Sequence, residues 1–456
     1  MTTMTSDTAT RSHFPLKARL AGMGFLEFAV WGSYLTSLGA YLARIGMGEH
    51  IGWFYAVQGV VSIFMPGLIG IVADRWMQAQ KVLSMCHFIA GVFMLAAGFY
   101  GLGTEAPSFG ILFALYTVSV AFFMPTIGLS NSVAYSALEG AGLDSVKHFP
   151  PIRVFGTIGF ICAMLFVNFT GFQNTATQLV CSGALSFVLA LYALTMPKCP
   201  VNKGGAHKGL AGALGLDAFK LFKDPHMAGF FIFSMFLGVS LQITNGFANP
   251  FIQSFGQLPE YAGTFGVDNA NALISLSQMS ETLCILLIPF FLKRFGIKTV
   301  MLMAMFAWVL RFGFFGIGNP GSGVWLFVLS MIVYGVAFDF FNVSGSLYVD
   351  KKTSVEIRSS AQGLFMIMTN GIGATAGTLC AQSVVNHYVF SRPEGAAQVE
   401  GWSTSWLIFA GYALVVAVLF LFFFHETSSL GTRPSTRPSG PQPPTMLSNH
   451  RHFHAL

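Results

Sequence analysis

Charge is what this chain has least of. Asp, Glu, Lys and Arg make up 9% of its 456 residues, against roughly 25% in a soluble domain. A surface so poor in charge does not stay dissolved, which excludes an ordinary water-soluble protein. Cysteine is scarce too. Cys86, Cys162, Cys181, Cys284 and Cys380 lie in apolar runs and Cys199 in a polar one, so a disulfide framework is excluded and the thiols read as small hydrophobes. Walker loop, zincin helix and nucleophile elbow are all missing, and with them the usual signatures of ATP, metal and covalent chemistry. Neither an enzyme nor a cofactor or metal is expected. The net charge of +6 and pI near 9.0 do not indicate a nucleic-acid partner, because the basic residues sit in short gaps between apolar runs.

Hydrophobicity is what the chain has instead: 54% apolar residues and a mean hydropathy of +0.64. A helix needs about 20 apolar residues to cross a bilayer core, and its backbone must bond internally there. Such runs occur at about 18–43, 51–73, 81–102, 108–135, 150–171, 176–197, 226–251, 268–292, 297–317, 323–349, 358–388 and 402–425. The expected fold is therefore an all-α membrane protein with twelve transmembrane helices in two six-helix halves. The run from Leu20 is too long for a signal peptide and reads as the first span. The expected organisation is a cytoplasmic segment 1–17, a bundle 18–197, a cytoplasmic linker 198–225, a second bundle 226–425 and a disordered, Pro/Ser/Thr-rich cytoplasmic tail 426–456.

The basic residues test that count. With both termini cytoplasmic, Arg44 and Arg392 fall on the opposite side, Arg153 and Arg311 fall within spans, and all others of the 24 Lys and Arg lie inside. One miscounted helix would destroy the asymmetry. The halves also echo each other: Ile152-Arg153 precedes Phe160 as Ile357-Arg358 precedes Phe365, and Pro66 and Pro289 both fall in the second span of their half, as parallel repeats would.

Glu27, Arg153, Glu281, Arg311 and Asp339 stand inside apolar runs, where a charge costs about 2.5–3.5 kcal/mol. Helical spacing groups the polar residues into stripes: Arg153, Thr157 and Phe160; Gln242, Asn245 and Asn249; Gln278 and Glu281; Tyr334, Phe338 and Asn342. Asp339 is turned about 100° from Phe338, beside its stripe. Amides, a guanidinium, carboxylates and aromatic faces from both halves suit a polar, planar, ring-bearing solute held near the midplane. A single such residue often only bonds a neighbouring helix, contributing about 0.6 kcal/mol, so the set carries the inference. His87 reads as a hydrogen-bonded structural histidine, with a proton relay as the alternative. Gly70, Asp74 and Arg75 close the second span as a conformational motif, the glycine allowing close helix approach.

The stretches Phe149 to Thr157, Leu241 to Asn245, Ser277 to Glu281 and Val333 to Asn342 resemble the nucleoside:proton symporters of the major facilitator superfamily, the group containing bacterial nucleoside and xanthosine permeases. The resemblance runs from about Leu20 to His425. It implies alternating access and a nucleoside site lined by Arg153, Thr157, Phe160, Gln242, Asn245, Gln278, Glu281, Tyr334 and Phe338, with Asp339 and Glu281 in proton coupling. It also implies a functional monomer in the bacterial inner membrane whose partners are nucleoside, protons and lipid. Glu27 stands where the family pattern has Gln, which adds either a titratable group near the cavity or a locally paired carboxylate. Phe155 replaces a Trp of some members, and Leu129 to Val133 is similar to the xanthosine-permease branch. The expected function is proton-coupled nucleoside uptake. The alternatives are a sugar or oligosaccharide symporter with more hydroxyl contacts, and a membrane sensor that binds nucleosides without moving them.

Overall fold

Residues 4–201, 216–354 and 357–424 are described in a computed structural model of the chain. Within one compact unit, Met1–Phe424, ten helical stretches are long and apolar enough to cross a bilayer, and no strand occurs among the described residues. The fold is all-helical.

The first run of the sequence is two helices, α1 (Met4–Gly32) and α2 (Leu38–Arg44), joined by turns at 33–37. Next come α3 (Ile51–Arg75), α4 (Ala79–Gly103), α5 (Phe109–Gly140), α6 (Ser145–Phe169) and α7 (Thr177–Leu194). Part of the expected linker, 202–215, lies outside the described residues, as does the tail from 425. A 3-10 stretch at Leu216–Lys223 then leads to α8 (Pro225–Leu241). Its start is fixed by chemistry: Pro225 opens the helix without needing an N–H partner, and the Asp224 carboxylate accepts the backbone N–H of His226 at 2.9 Å. After a bend at Gln242 the chain continues as α9 (Ile243–Ser254).

The longest helix, α10 (Ala270–Ile317), has 48 residues, about 70 Å at the helical rise and over twice a hydrocarbon core of about 30 Å. Gly296 breaks it with φ 78° and ψ 169°, a conformation open only to glycine. Two legs result, where the hydropathy runs 268–292 and 297–317 lie. α11 (Val324–Lys352) follows, then α12 (Arg358–Met366) and α13 (Ala374–Val385), joined by a π-helical turn at Ile367–Gly373, and finally α14 (Ala396–Phe423). α14 begins six residues before the apolar run predicts, because Ala396 to Gly401 winds a polar first turn.

Apolar side chains face two ways, as expected when lipid is the solvent. Trp308, Trp402 and Trp406 are fully enclosed, and Phe251 touches the latter two rings at centroid distances of 5.9 and 5.5 Å. Leu191, Leu286, Phe290 and Phe422 point outward, each more than 60% exposed, where water would penalise them and acyl chains do not.

Hydrogen bonds between residues 4–201 and 216–424 cluster at the end of the bundle where α3 begins and α6 ends. Thr36 donates to Asn271 Oδ1 at 2.6 Å, and Asn271 Nδ2 donates to the Met164 carbonyl at 3.0 Å. Asn168 donates to Asn269 at 2.8 Å and accepts from the Ala272 N–H at 3.0 Å. Gln382 donates to the Gly48 carbonyl at 2.9 Å, and Gly39 lies so close to the Gly246 carbonyl that a side chain there would force the backbones apart.

Two readings of the sequence change. A Cβ at Gly70 would meet nothing within 4 Å, so this glycine does not serve a close helix approach here, and the Asp74 and Arg75 side chains lie outside the description. The echo between Arg153 and Arg358 is one of sequence only: Arg358 Nε pairs with Asp350 at 2.8 Å, partly exposed, whereas Arg153 is inside the bundle.

Candidate functional site

α6 carries Arg153, Thr157 and Phe160 on one face. The Arg153 guanidinium lies over the Phe28 ring of α1, 4.1 Å from its centroid, a cation–π contact worth about 1–2 kcal/mol where water is sparse. Phe160, 5% exposed, meets Trp31 of α1 edge-on at 6.2 Å. The Trp31 indole nitrogen is buried with no hydrogen-bond partner among the described residues, an orphan donor beside the α6 stripe. A narrow groove opens next to Arg153, with Met23, Phe28, Ser130, Asn131 and Phe149 in its wall. It lies toward the bundle end opposite the hydrogen-bonded seal.

Arg153 also connects this face of α6 to α10 and α11. Glu281 interacts electrostatically with Arg153 of α6 and with Asp339 and Tyr334 of α11. Gln278, one turn before Glu281, interacts with the Tyr334 hydroxyl. Tyr334 and Phe338 stack at 5.6 Å with 14° between their planes, an aromatic strip of two rings. α10 and α11 approach tightly enough to fix these positions: Gly335 packs on Ser280 and Cys284, and Ser277 Oγ donates to Met331 Sδ at 3.0 Å. Asp339 is 5% exposed, turned from the strip toward Glu281 and Cys284, and its Oδ2 has no hydrogen-bond partner among the described residues.

The stripes therefore meet in part. Arg153, Glu281, Gln278, Tyr334 and Asp339 form one connected group from both ends of the chain. Gln242 and Asn245 bond to each other, Asn245 Nδ2 donating to Gln242 Oε1 at 2.9 Å, and no contact among the described residues ties them to that group. Thr157 is half-buried on the Arg153 face. Asn249 is fully buried and accepts from Gln253 at 2.8 Å, nearer the seal than the cleft.

Phe28 and Trp31 are the residues that sequence reasoning missed. Their signal is present: both neighbour Glu27 on α1, and one is an indole inside a span, which needs a partner or a wet cavity. Arg311 stands apart from the connected group. It is 2% exposed, and Nη1 donates to the Ser330 carbonyl at 2.8 Å and the Ser277 hydroxyl at 3.3 Å. Its guanidinium sits 4.5 Å from the Tyr334 centroid, Nε has no partner, and no carboxylate among the described residues reaches ion-pair distance. It supports Tyr334 from behind. Glu27 and His87 bond to each other, so the carboxylate is locally paired and the histidine is hydrogen-bonded.

A family model described as Nucleoside H+ symporter matches residues 14–429. The chain is similar to the xanthosine permease of Escherichia coli (strain K12), 50% identical over 425 residues that cover 92% of this chain and 99% of the relative. It is also similar to the nucleoside permease NupG of the same organism, 46% identical over 412 residues, with 90% and 96% covered. A crystal structure of the nucleoside transporter NupG superimposes with a TM-score of 0.81 at 47% identity, covering 89% of this chain and 98% of the other. A D-xylose–proton symporter structure, at 15% identity and TM-score 0.65, covers 91% and 98% and shares the fold alone.

Proposed function

This chain belongs to the nucleoside H+ symporter family, and from that premise we propose which residues hold the nucleoside and which carry the proton. It is a multi-pass membrane transporter, not an enzyme, and it takes up nucleosides together with protons.

The observation that carries the site assignment is the group reaching from Arg153 through Glu281 to Tyr334 and Asp339. Arg153, Thr157 and Phe160 form one wall; Gln278, Glu281, Tyr334 and Phe338 form the other; Gln242 and Asn245 offer amides at the bend between α8 and α9. A base stacks on the Tyr334–Phe338 strip, and ribose hydroxyls donate to Glu281. Trp31 and Arg153 supply donors from the far side. Ser130 and Asn131 line the cleft, and with 50% identity to a xanthosine permease they favour purine nucleosides, xanthosine included.

Asp339, with Glu281, is the proton-coupling site. Its unpartnered Oδ2 leaves an oxygen free to take a proton without breaking a bond. Protonation lets nucleoside bind and the halves rock; release on the other side resets the carrier. A gradient of about 150 mV supplies roughly 3.5 kcal/mol per proton, enough for accumulation of a few hundred-fold.

We further take the fold as twelve transmembrane helices in two six-helix halves of the major facilitator type, 18–197 and 226–425. The ten candidate spans support this once α10 is counted as two legs at Gly296 and α1 is added. The protein works as a monomer in the bacterial inner membrane with both termini cytoplasmic. On that orientation the hydrogen-bonded seal is periplasmic, and the cleft beside Arg153 faces inward.

Uptake of labelled uridine into membrane vesicles, with and without a proton gradient and against a competing panel of nucleosides and a disaccharide, tests the reading. Gradient-driven uptake that nucleosides block and the disaccharide does not is expected. Inhibition by the disaccharide alone would favour the sugar symporter, and binding without flux the sensor.

A further inference from the structure

Glu27, His87, Thr126 and Ser186 come from four helices, α1, α4, α5 and α7, and take no part in the site described above. Glu27 and His87 are both 0% exposed. His87 Nε2 lies 2.8 Å from Glu27 Oε2, and His87 Nδ1 lies 2.9 Å from Ser186 Oγ. Ser186 Oγ also donates to the His87 carbonyl at 2.9 Å, and Thr126 Oγ1 lies 2.6 Å from Glu27 Oε1 and 2.5 Å from the Phe123 carbonyl. An acid, an imidazole and a serine in line resemble a hydrolytic triad, but full enclosure denies any substrate access.

The hydrogens can be counted. Ser186 has one hydroxyl hydrogen, and a carbonyl only accepts. While Ser186 donates to the His87 carbonyl, its contact with Nδ1 requires an Nδ1–H. The 2.8 Å contact between Nε2 and Oε2 then requires a further proton between them, whichever atom holds it. The pair is net neutral in this state. Loss of the Nδ1 proton to solvent, with the shared proton settling on Nε2, leaves a carboxylate and a neutral imidazole with its hydrogen on Nε2. The Ser186 hydroxyl then turns from the carbonyl to Nδ1, and every polar group stays bonded. One hydroxyl rotation separates two complete networks that differ by one proton.

The titratable groups facing Glu27 are His87 and Cys86, both of α4; α5 and α7 present only the Thr126 and Ser186 hydroxyls. Arg153 of α6 faces Phe28, one residue along. No lysine or arginine among the described residues reaches ion-pair distance of Glu27, so the proton itself keeps the pair neutral. The same α1 turn carries Phe28 and Trp31, and Phe123 lies between Trp31 and His87, at 6.0 and 5.9 Å from the two rings.

We propose that Glu27, His87 and Ser186 form a second proton-holding site, separate from Asp339 and Glu281, whose proton keeps the α1 wall of the cavity in register. Its existence is independent of the nucleoside assignment; its effect on substrate affinity rests on that assignment. The site exchanges its proton only when the surrounding helices part.

Full-length protein in lipid bilayers, without nucleoside, is titrated from acid to alkaline pH while bound protons are counted. Glu27→Gln, which keeps an acceptor for His87, loses one titrating proton, and the loss adds to that of Asp339→Asn in the double variant. Identical proton counts for wild type and a folded Glu27→Gln overturn the proposal. If Glu27→Gln does not fold, Ser186→Ala keeps both titrating groups and removes the rotor. Its histidine ¹⁵N spectrum must then change with pH differently from the wild type, and an unchanged pattern overturns the proposal equally. Nucleoside affinity read on the same samples falls as that proton is lost in wild type and Glu27→Asp, and shows no such fall in Glu27→Gln. Loss of one proton in Glu27→Gln with the affinity profile of the wild type would overturn the positioning role of the site.

Discussion

The first and second parts of this bundle treat buried charge in opposite ways. In the first, Glu27 is fully enclosed, and its oxygens meet His87 and Thr126. In the second, Arg311 keeps an unpartnered Nε and Asp339 an unpartnered Oδ2, with no ion pair to either among the described residues. A satisfied buried network resists rearrangement, while an unsatisfied one has something to gain from a proton, a substrate or a new conformation. The unsatisfied groups of the second part are the ground on which we assign coupling to Asp339, whereas the first part holds its carboxylate in a completed network.

The contrast can be broken at Asp339 first. Asp339→Asn removes the group with the free oxygen, and accumulation in vesicles should fall from a few hundred-fold to none, while nucleoside-for-nucleoside exchange persists. Arg311 comes next. Arg311→Gln loses a cation–π contact of up to about 2 kcal/mol and loosens Tyr334, so KM should rise by more than tenfold, with Arg311→Lys recovering part of it. At Glu27 the direction reverses. Glu27→Gln should change thermal stability by less than about 1 kcal/mol because the amide keeps its bonds, whereas Glu27→Ala strands His87 and Thr126 at about 1–3 kcal/mol. The smallest effect is expected at the seal. Thr36→Val removes one neutral hydrogen bond of about 1 kcal/mol, a roughly fivefold shift away from the sealed state, readable as increased labelling of a periplasmic cysteine.

Much of this was legible in the residues. The apolar runs fell on the ten helical stretches long and apolar enough to cross a bilayer, but not on the breaks at 33–37 and Gln242 or the early start of α14; the polar stripes on α6, α10 and α11 selected Arg153, Glu281, Gln278 and Tyr334, because a guanidinium or carboxylate in lipid needs a reason to be there. Spacing along one helix does not say which helix lies opposite. Glu27 and His87 are 60 residues apart, and only packing could show that they bond. The same limit hid Phe28 beneath Arg153 and the isolation of Arg311. Gly70 illustrates the reverse error: a glycine in a helix suggests close approach, yet here it borders open space.

The central claim, that nucleoside binding and protonation of Asp339 are one linked event, has a direct test. Calorimetric titration of nucleoside into the reconstituted protein, in buffers of different ionisation enthalpy, counts protons taken up per nucleoside bound. About one proton is predicted for the wild type at alkaline pH and none for Asp339→Asn. Nucleoside binding that takes up no proton in the wild type at any pH, or an unchanged uptake in Asp339→Asn, would contradict the account.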